Sequence, residues 1–360
     1  MQPTLSALGT GVPAYHISQT AALRFLDQQL ELSDVERRKL RFLYRSTRIA
    51  QRHSVLRDFS ETGTAFFNPD APPTTGQRMQ AYEKHALPLA LKVLQNTLTK
   101  DDLESVTHLI TVSCTGMYAP GLDIELIAAT SLRSDVARTS INFMGCYAAF
   151  NALKTAAALC RAYSEARVLI VDVELCTLHF QPSLQEDHVV SNALFADGAA
   201  VALVENQPVA TNAPQLELLD FYSDLAPEGN ADMGWYVRDY GFEMILKSSI
   251  PEHLRGGIGA LTQRLLTHWQ LDTSAIRHWA VHPGGRKILE AIGEALSLPD
   301  EALKPAYEVL HNYGNMSSAT VFFVLQRILQ QLTPKQRGEY MVGMAFGPGL
   351  TIESGLWRVV

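Results

Sequence analysis

The 360-residue sequence has four cysteines, Cys114, Cys146, Cys160 and Cys176, and no Cys-x-x-Cys pair among them. That spacing argues against a zinc site or a thioredoxin-type redox centre, and reduced thiols are the expected state. Positive charge is scarce: 30 Lys and Arg stand against 37 Asp and Glu, a net charge of −7. General nucleic-acid binding is therefore not expected. No apolar run is long enough to span a membrane. The most apolar helical stretch, Tyr147 to Leu159, is short and interrupted by Lys154. The N-terminus lacks the basic-then-apolar pattern of a signal peptide, so a cytoplasmic location is expected. There is no Ser/Gly/Pro-rich or highly charged tract of the kind that stays disordered, and charged residues make up only 19%. What is abundant is apolar: 47% of residues, ample for the core of one large domain or two intimate ones.

An internal repeat organises the chain. Asp102-Leu-Glu-Ser-Val-Thr-His108-Leu-Ile-Thr-Val-Ser113 reads as helix end, linker and buried strand. Asp272-Thr-Ser-Ala-Ile-Arg-His278-Trp-Ala-Val-His282-Pro283 repeats that pattern 170 positions later. Each strand runs into a glycine turn, at Gly116 and at Gly284-Gly285. Gly145-Cys146 opens an apolar helical run, and Gly314-Asn315 opens another 169 positions on. The near-equal offsets imply two strand–loop–helix halves related by a pseudo-twofold, 1–207 and 208–360. Ala166–Val173 and Ala199–Val204 read as buried strands, the latter after a turn at Asp197-Gly198. Met341–Ala345 and Leu350–Ile352 read as their second-half counterparts. Continuous apolar strands between helices imply α/β sheets covered on both faces. Residues 20–73 lie outside the repeat and read as helix, then loop.

The repeat sets three reactive side chains at comparable places. Cys146 follows a glycine and precedes an apolar helix, where unsatisfied N–H groups and the positive helix end favour a thiolate. The plain alternative is a core cysteine, which is how Cys114, Cys160 and Cys176 read, Cys114 bordering the Gly116 loop. His282 ends a buried strand and enters Pro283-Gly284-Gly285, well placed to face a cleft; the alternative is a local hydrogen bond. Asn315 would serve as a helix N-cap, but it stands at the repeat position of Cys146. Together they offer a nucleophile, an imidazole and an amide where the halves meet.

Gly145-Cys146, His282-Pro-Gly-Gly-Arg-Lys-Ile-Leu289, Gly314-Asn-Met-Ser-Ser318 and Gly347-Pro-Gly-Leu-Thr351, in that order, resemble the type III polyketide synthases, the chalcone synthase-like family. Phe195-Ala-Asp-Gly198 and Ser113-Cys-Thr-Gly116 with Ala119-Pro-Gly121 add to the likeness, which runs from about Arg45 to the C-terminus. The resemblance implies a duplicated thiolase-like αβαβα fold, a homodimer, and no tightly bound cofactor or metal, with acyl-CoA and malonyl-CoA as substrates. It implies that Cys146 carries the starter as a thioester, and that His282 holds Cys146 as a thiolate through an imidazolium pair. It further implies that His282 and Asn315 stabilise the enolate formed when malonyl-CoA loses CO₂. A ketoacyl carrier-protein synthase III-like enzyme shares the triad, but the Pro-Gly-Gly after His282 and the Gly347-Pro-Gly loop favour the polyketide synthase.

The same resemblance implies a pocket. Phe195 matches a gatekeeper phenylalanine. The second gatekeeper position falls on Met244, and Trp235 stands where plant members have a small residue. Cys114 is placed in the pocket too. An indole facing it would favour a short starter and a small phenolic or pyrone product; facing the core, it would shape nothing. A basic stretch from Arg37 to Arg57 stands out from the acidic background. It reads either as a solvated helix face or as a site for CoA phosphates, with Arg45 and Arg48 as the named contacts.

Overall fold

Unbroken apolar strands need cover on both faces, and the chain meets that need by stacking two half-sheets around buried helices. The structure is a computed structural model describing residues 2–59, 66–206, 213–225, 232–247 and 250–360, and of 251–256 the backbone only. Its strands, in chain order, are β1 (Thr4–Gly11), β2 (Tyr15–Ser18), β3 (Gln51–Ser54), β4 (His108–Ser113), β5 (Ala137–Asn142), β6 (Arg167–Leu175), β7 (Asp197–Glu205), β8 (Leu216–Leu225), β9 (Met233–Arg238), β10 (Gly241–Leu246), β11 (Ile276–Val281), β12 (Tyr340–Gly347) and β13 (Thr351–Val359). Its helices are α1 (Gln19–Leu30), α2 (Asp34–Ser46), α3 (Thr75–Thr97), α4 (Lys100–Glu104), α5 (Leu122–Ala129), α6 (Ala148–Ala162), α7 (Glu186–Leu194), α8 (Ile250–Trp269), α9 (Arg286–Ala295), α10 (Lys304–Tyr313) and α11 (Thr320–Leu329).

Among the described residues, nine strands form one sheet in the order β11-β12-β13-β8-β1-β7-β6-β4-β5. Apart from β5, the order is a palindrome about the β1–β8 pair, where Leu5 faces Leu216. Pairing directions mirror each other as well. β4 and β6 are parallel, as are β11 and β12. β6–β7 and β12–β13 are antiparallel, as are β7–β1 and β13–β8. This is the expected duplication. The expected division at 207/208 lies outside the described residues.

Helices α6 and α11 form the middle layer. α6 packs on β4, β6 and β7 and reaches β13; α11 touches β1 and β7 on one side and β11 on the other. Their side chains are apolar nearly all round, and Phe150 and Phe322 are wholly buried, as a helix enclosed on every side requires. Each such side chain contributes about 1.5–3 kcal/mol by burial. Phe150 stacks on Trp357, ring centroids 5.9 Å apart, tying the halves together. α3 covers the outer face of β1, β6 and β7. Ile258, Leu261 and Leu265 of α8 line one small cavity with Met344 and Phe346 of β12. The result is the αβαβα layering.

Two local expectations differ from the structure. Residues 20–73 hold α1 and α2, but also β3, which pairs with β2 in a two-stranded ribbon. Four-residue strands are too short to show a period. Asp197 and Gly198 are not a turn but the start of β7. The buried Asp197 carboxylate accepts hydrogen bonds from the backbone N–H groups of Val55 and Thr177 (each 2.8 Å) and from the Thr177 hydroxyl. A charge-capable side chain is tolerated there because its oxygens are satisfied. Among the described residues, no helix is long and apolar enough to cross a membrane.

Candidate active site

Gly145 adopts φ +82°, and a Cβ there would lie 2.2 Å from Cδ of Pro348. Only glycine fits both that backbone and that contact. Its freedom sets Cys146 immediately before α6, so the thiol lies by the positive end of a 15-residue helix. The surroundings nonetheless favour the neutral thiol. Burial pushes the Cys146 pKa up to about 12, with the Glu174 carboxylate adding to the shift; hydrogen bonds from Ser317 and Asn315 work against it.

Gly314 repeats the device with φ +72°, its Cα packed against Arg52 and the carbonyl of Leu194. The Asn315 backbone bridges to Phe195, donating to Leu194 O (2.9 Å) and accepting from Ala196 N (2.8 Å). The Asn315 amide is oriented at both ends. Oδ1 accepts from Ser317 N (2.9 Å), and Nδ2 donates one proton to Gly284 O (3.3 Å). An amide nitrogen has two protons, and the second is the one Asn315 can direct at the Cys146 sulfur. Asn315 thus makes a local turn, as a capping residue would, and also touches the Cys146 thiol.

His282 leaves the end of β11, its N–H bonded to Met344 O at 2.8 Å. The side chain is 1% exposed, and neither ring nitrogen has a hydrogen-bond partner among the described residues. Burial pushes its pKa down to about 3. A fully buried imidazole with both nitrogens free is unusual and marks a group awaiting a partner. Burial thus favours the neutral form of each group, and the expected thiolate–imidazolium pair would have to form against that desolvation.

Two carboxyls beside the thiol were not anticipated. Asp172 and Glu174 sit two residues apart on β6, hence on one face, and both are wholly buried. Glu174 accepts from Cys114 N (3.0 Å) and Thr115 Oγ1 (2.8 Å). The Ser318 hydroxyl lies between the two carboxyls, against Asp172 Oδ1 and Glu174 Oε1. Burial raises both pKa values, and the Glu174 charge raises that of Asp172 further. One hydroxyl has a single proton to give, so the cluster is satisfied when one carboxyl is protonated. Acidic residues spaced by two within an apolar strand are the signal that would have found them.

One cavity collects all four expected pocket residues. With about 820 Å³ of space including its open end, it is lined by Cys146 and Ser317 and by the expected Cys114, Phe195, Trp235 and Met244. Cys176 lines it too, so the reading of that cysteine as plain core is corrected; Cys160 bonds backbone carbonyls in the core. The Cys114 sulfur accepts from Gly145 N at 3.0 Å. Trp235 and Met244 face each other across the β9–β10 ladder, and the indole N–H donates to Cys114 O (2.7 Å). The indole edge also meets His179 and Phe242. Trp235 is thus fixed at the wall rather than turned to the core.

A second cavity adjoins the first. Leu194 and Leu246 line it, one and two residues from Phe195 and Met244, together with Leu43, Ser46 and Thr47 of α2, Gly284, Lys247, Arg286 and Lys287. Arg286 continues into a surface groove with Arg48, Lys304 and His311. The basic stretch is split by the fold. Arg37 pairs with Asp27 and Asp34, and Arg52 is buried, donating to Asn192 O and Phe195 O. Arg48 reaches the groove, whereas Arg45 is exposed and lines neither cavity.

Family comparisons agree with this arrangement. Residues 2–208 match the N-terminal domain of the chalcone and stilbene synthases, and residues 217–360 match the C-terminal domain. The chain is 29% identical over 360 residues to the "Alpha-pyrone synthesis polyketide synthase-like Pks18" of Mycobacterium tuberculosis, covering 99% of this chain and 91% of the relative. It is 31% identical to "Probable polyketide synthase 1" of Dictyostelium discoideum over 96% of its own length, but spans only 11% of that relative. Among solved structures, PKS-I of the brown alga Ectocarpus siliculosus superposes with a TM-score of 0.92 at 27% identity, covering 100% of this chain and 98% of the other. The C-terminal type III domain of Steely1, a type I/III hybrid from Dictyostelium, gives 0.88 at 28% identity, with 99% of each chain covered. With both family domains matched end to end around one cysteine-lined cavity, the chain belongs to the chalcone and stilbene synthase family, the type III polyketide synthases.

Proposed function

We propose that Cys146 takes a starter acyl group from an acyl-CoA, and that the chain extends it with malonyl-CoA units and closes it to a small phenolic or pyrone. The observation that carries this is the convergence of Cys146 with Asn315 and Ser317, across the half boundary, with Asn315 bonded to Gly284, two residues from an imidazole with both nitrogens free. In loading, the Cys146 proton passes to His282, sulfur attacks the thioester carbonyl, and the CoA thiolate leaves with that proton. Malonyl-CoA then loses CO₂. The Nδ2 proton that Asn315 directs at the thiol in the unloaded enzyme turns to the enolate oxygen, and with the N–H of His282 stabilises it. The enolate carbon attacks the Cys146 thioester, the thiolate leaves, and the chain is two carbons longer on CoA.

Lys287 and Arg286, at the start of α9 after Pro-Gly-Gly, suit the CoA phosphates better than Arg45, with Arg48 as the outer contact. They join cationic side chains to a helix N-terminus at the cavity where the substrate would enter. Phe195 and Met244 stand between this cavity and Cys146 as gatekeepers. The fixed indole of Trp235 restricts the starter to a short acyl group or malonyl alone. The homodimer would form along β5, an edge strand with mostly exposed side chains and no proline or lysine to discourage pairing.

Mass spectrometry of products from a panel of acyl-CoAs with malonyl-CoA tests the reading. Short starters should give pyrones or phenolics, and Trp235→Gly should extend the accepted length. A native preference for long-chain or cinnamoyl-type starters, or no change in Trp235→Gly, contradicts the steric account.

A further inference from the structure

The cavity around Cys146 carries polar side chains that neither loading nor decarboxylation uses. Most of them are satisfied within the wall. Asn192 exchanges two hydrogen bonds with the Gln181 backbone, Thr177 donates to Asp197, and His179 is held between Phe242 N and Thr115 O. Two are not. Among the described residues, His188 Nδ1 and Ser191 Oγ are buried atoms with no hydrogen-bond partner, and both residues line this cavity. They stand three positions apart on α7, one turn along the same face. Leaving a buried polar atom without a partner is costly, and two of them on one cavity wall mark a place where a ligand supplies the bonds.

His188 is also backed by a relay. The side chain is 8% exposed. Its Nε2 stands 2.8 Å from Glu243 Oε1 on β10, and the other Glu243 oxygen accepts from Arg238 Nε at 2.8 Å. The Arg238 hydrogen bond holds the Glu243 carboxyl below its ordinary range, so it is an anion at neutral pH. A carboxylate at Nε2 keeps the ring proton there and leaves Nδ1 a lone pair. Glu243 is not part of the cavity wall, whereas its neighbours Phe242 and Met244 are, so the ring stands between the carboxylate and the cavity. A histidine oriented from behind by a carboxylate is the arrangement of a general base. A tie between α7 and β10 accounts for Nε2 but leaves Nδ1 and Ser191 Oγ unexplained. Nδ1 accepts a proton and the Ser191 hydroxyl donates one, so their complement is an acidic O–H beside a carbonyl oxygen. The enol of a 1,3-diketone is such a group. A chain extended twice by malonyl units carries it at C5 and C3, counted from the thioester carbon.

We propose that His188, positioned by Glu243 and Arg238 and assisted by Ser191, is the general base that closes the extended chain through oxygen to a pyrone. The proposal rests on the condensing-enzyme reading of Cys146. Nδ1 takes the proton of the C5 enol, and the oxygen attacks the thioester carbon, C1. The C1–S bond breaks, and the CoA thiolate leaves with the proton from Nδ1. The Ser191 hydroxyl donates to the C3 oxygen and holds that part of the chain against the ring.

The test is a rapid-quench assay with hexanoyl-CoA and malonyl-CoA, in which mass spectrometry separates the triketide CoA thioester from the free pyrone. The unmodified chain should release pyrone with no build-up of the thioester. His188→Ala and His188→Gln should each slow pyrone release about tenfold or more and accumulate the thioester. Acyl loading of Cys146 and CO₂ release, which use other side chains, should stay within twofold in both. Glu243→Gln, which keeps an acceptor at Nε2 but not the charge, and Ser191→Ala should each slow release about threefold. Unchanged pyrone release in His188→Ala would mean that the ring closes unaided, and would overturn the proposal. So would normal release in His188→Gln beside slow release in His188→Ala, because an amide can serve as a tie but not as a base. A parallel fall in loading in both His188 variants would make the ring a structural tie and overturn it too. A phenolic product without pyrone from the unmodified chain overturns this proposal and leaves the condensing-enzyme reading standing. Cys146 left unacylated in the unmodified chain overturns that reading, and this proposal with it.

Discussion

The starts of α6 and α11 are the same structure put to two uses. Gly145 and Gly314 stand 169 positions apart, and each holds a left-handed φ, +82° and +72°. Each is wedged against a neighbour, and each delivers its next residue to the seam between the halves. The first delivers a thiol, the second an amide. Duplication therefore accounts for the geometry and divergence for the chemistry. The strand ends diverge as well: His282 of the second half corresponds to Val112 of the first, 170 positions earlier. The site is asymmetric on a symmetric frame, and replacing residues in matched pairs separates the frame from the chemistry.

The largest effects should fall on the chemical members of those pairs. Asn315→Ala should slow malonyl-CoA decarboxylation on the order of a hundred- to a thousandfold, about 2.7–4 kcal/mol, measured as CO₂ release. Val112→Ala should cost stability, about 1–3 kcal/mol for a core truncation, while the folded enzyme keeps its decarboxylation rate. Equal rates for Asn315→Ala and the unmodified chain would remove Asn315 from the mechanism.

The frame itself is probed by the glycines. Gly145→Ala and Gly314→Ala should each lose about 1–3 kcal/mol in urea unfolding, since both need a left-handed backbone and a Cβ would meet Pro348 in one case and Arg52 or Leu194 O in the other. A loss below about 0.5 kcal/mol at either would mean that the turn relaxes, and the pairing of the two starts would lose its physical basis.

The pairing was legible because glycine before a reactive residue, at a constant offset, survives in one sequence. The buried strands were legible because they are apolar throughout. The neighbourhood of Cys146 was not. Glu174, Asp172 and Cys176 reach it through β6 and the turn after it, and nothing in the spacing from Cys146 announces a contact made by sheet stacking. Arg52 looked like one more cation in a basic run, yet it is buried and spent on carbonyls near Phe195. The burial that pushes the Cys146 pKa up and the His282 pKa down was not legible for the same reason: motif order does not give it.

Each half also buries a neutral histidine. His179 accepts from Phe242 N, lies 2.7 Å from Thr115 O and stacks on Phe242; its pKa, like that of His282, is pushed down to about 3. A folded pKa below the unfolded value near 6.5 means that stability is full above pH 6.5 and is lost as pH falls towards 3. The loss is about 1.4 kcal/mol per pH unit for each group. Asp197 works the other way. Its pKa is raised to about 6 by burial, so the folded chain gains from its protonation as pH falls from 6 to the ordinary value of 3.8, and Asp172 and Glu174, raised by burial too, act in the same direction. Between pH 7 and 5 the urea midpoint of His179→Gln should therefore change more favourably than that of the unmodified chain. The same pH response in both would contradict the burial of a neutral ring.

The smallest effect concerns the two arginines. Arg48→Ala should raise the KM for acyl-CoA two- to fivefold, about 1 kcal/mol or less for an exposed contact, with kcat unchanged. Arg45→Ala should leave both constants alone. A larger KM effect from Arg45 than from Arg48 would move the nucleotide away from the Arg48–Arg286 groove.

The central claim is that one half carries the acyl group and the other stabilises the enolate, and a single variant separates them. Cys146→Ala should gain no acyl mass from hexanoyl-CoA and form no condensation product, yet still release CO₂ from malonyl-CoA through His282 and Asn315. Acylation or condensation surviving in Cys146→Ala, or decarboxylation lost along with them in a folded protein, would contradict the division of labour between the halves.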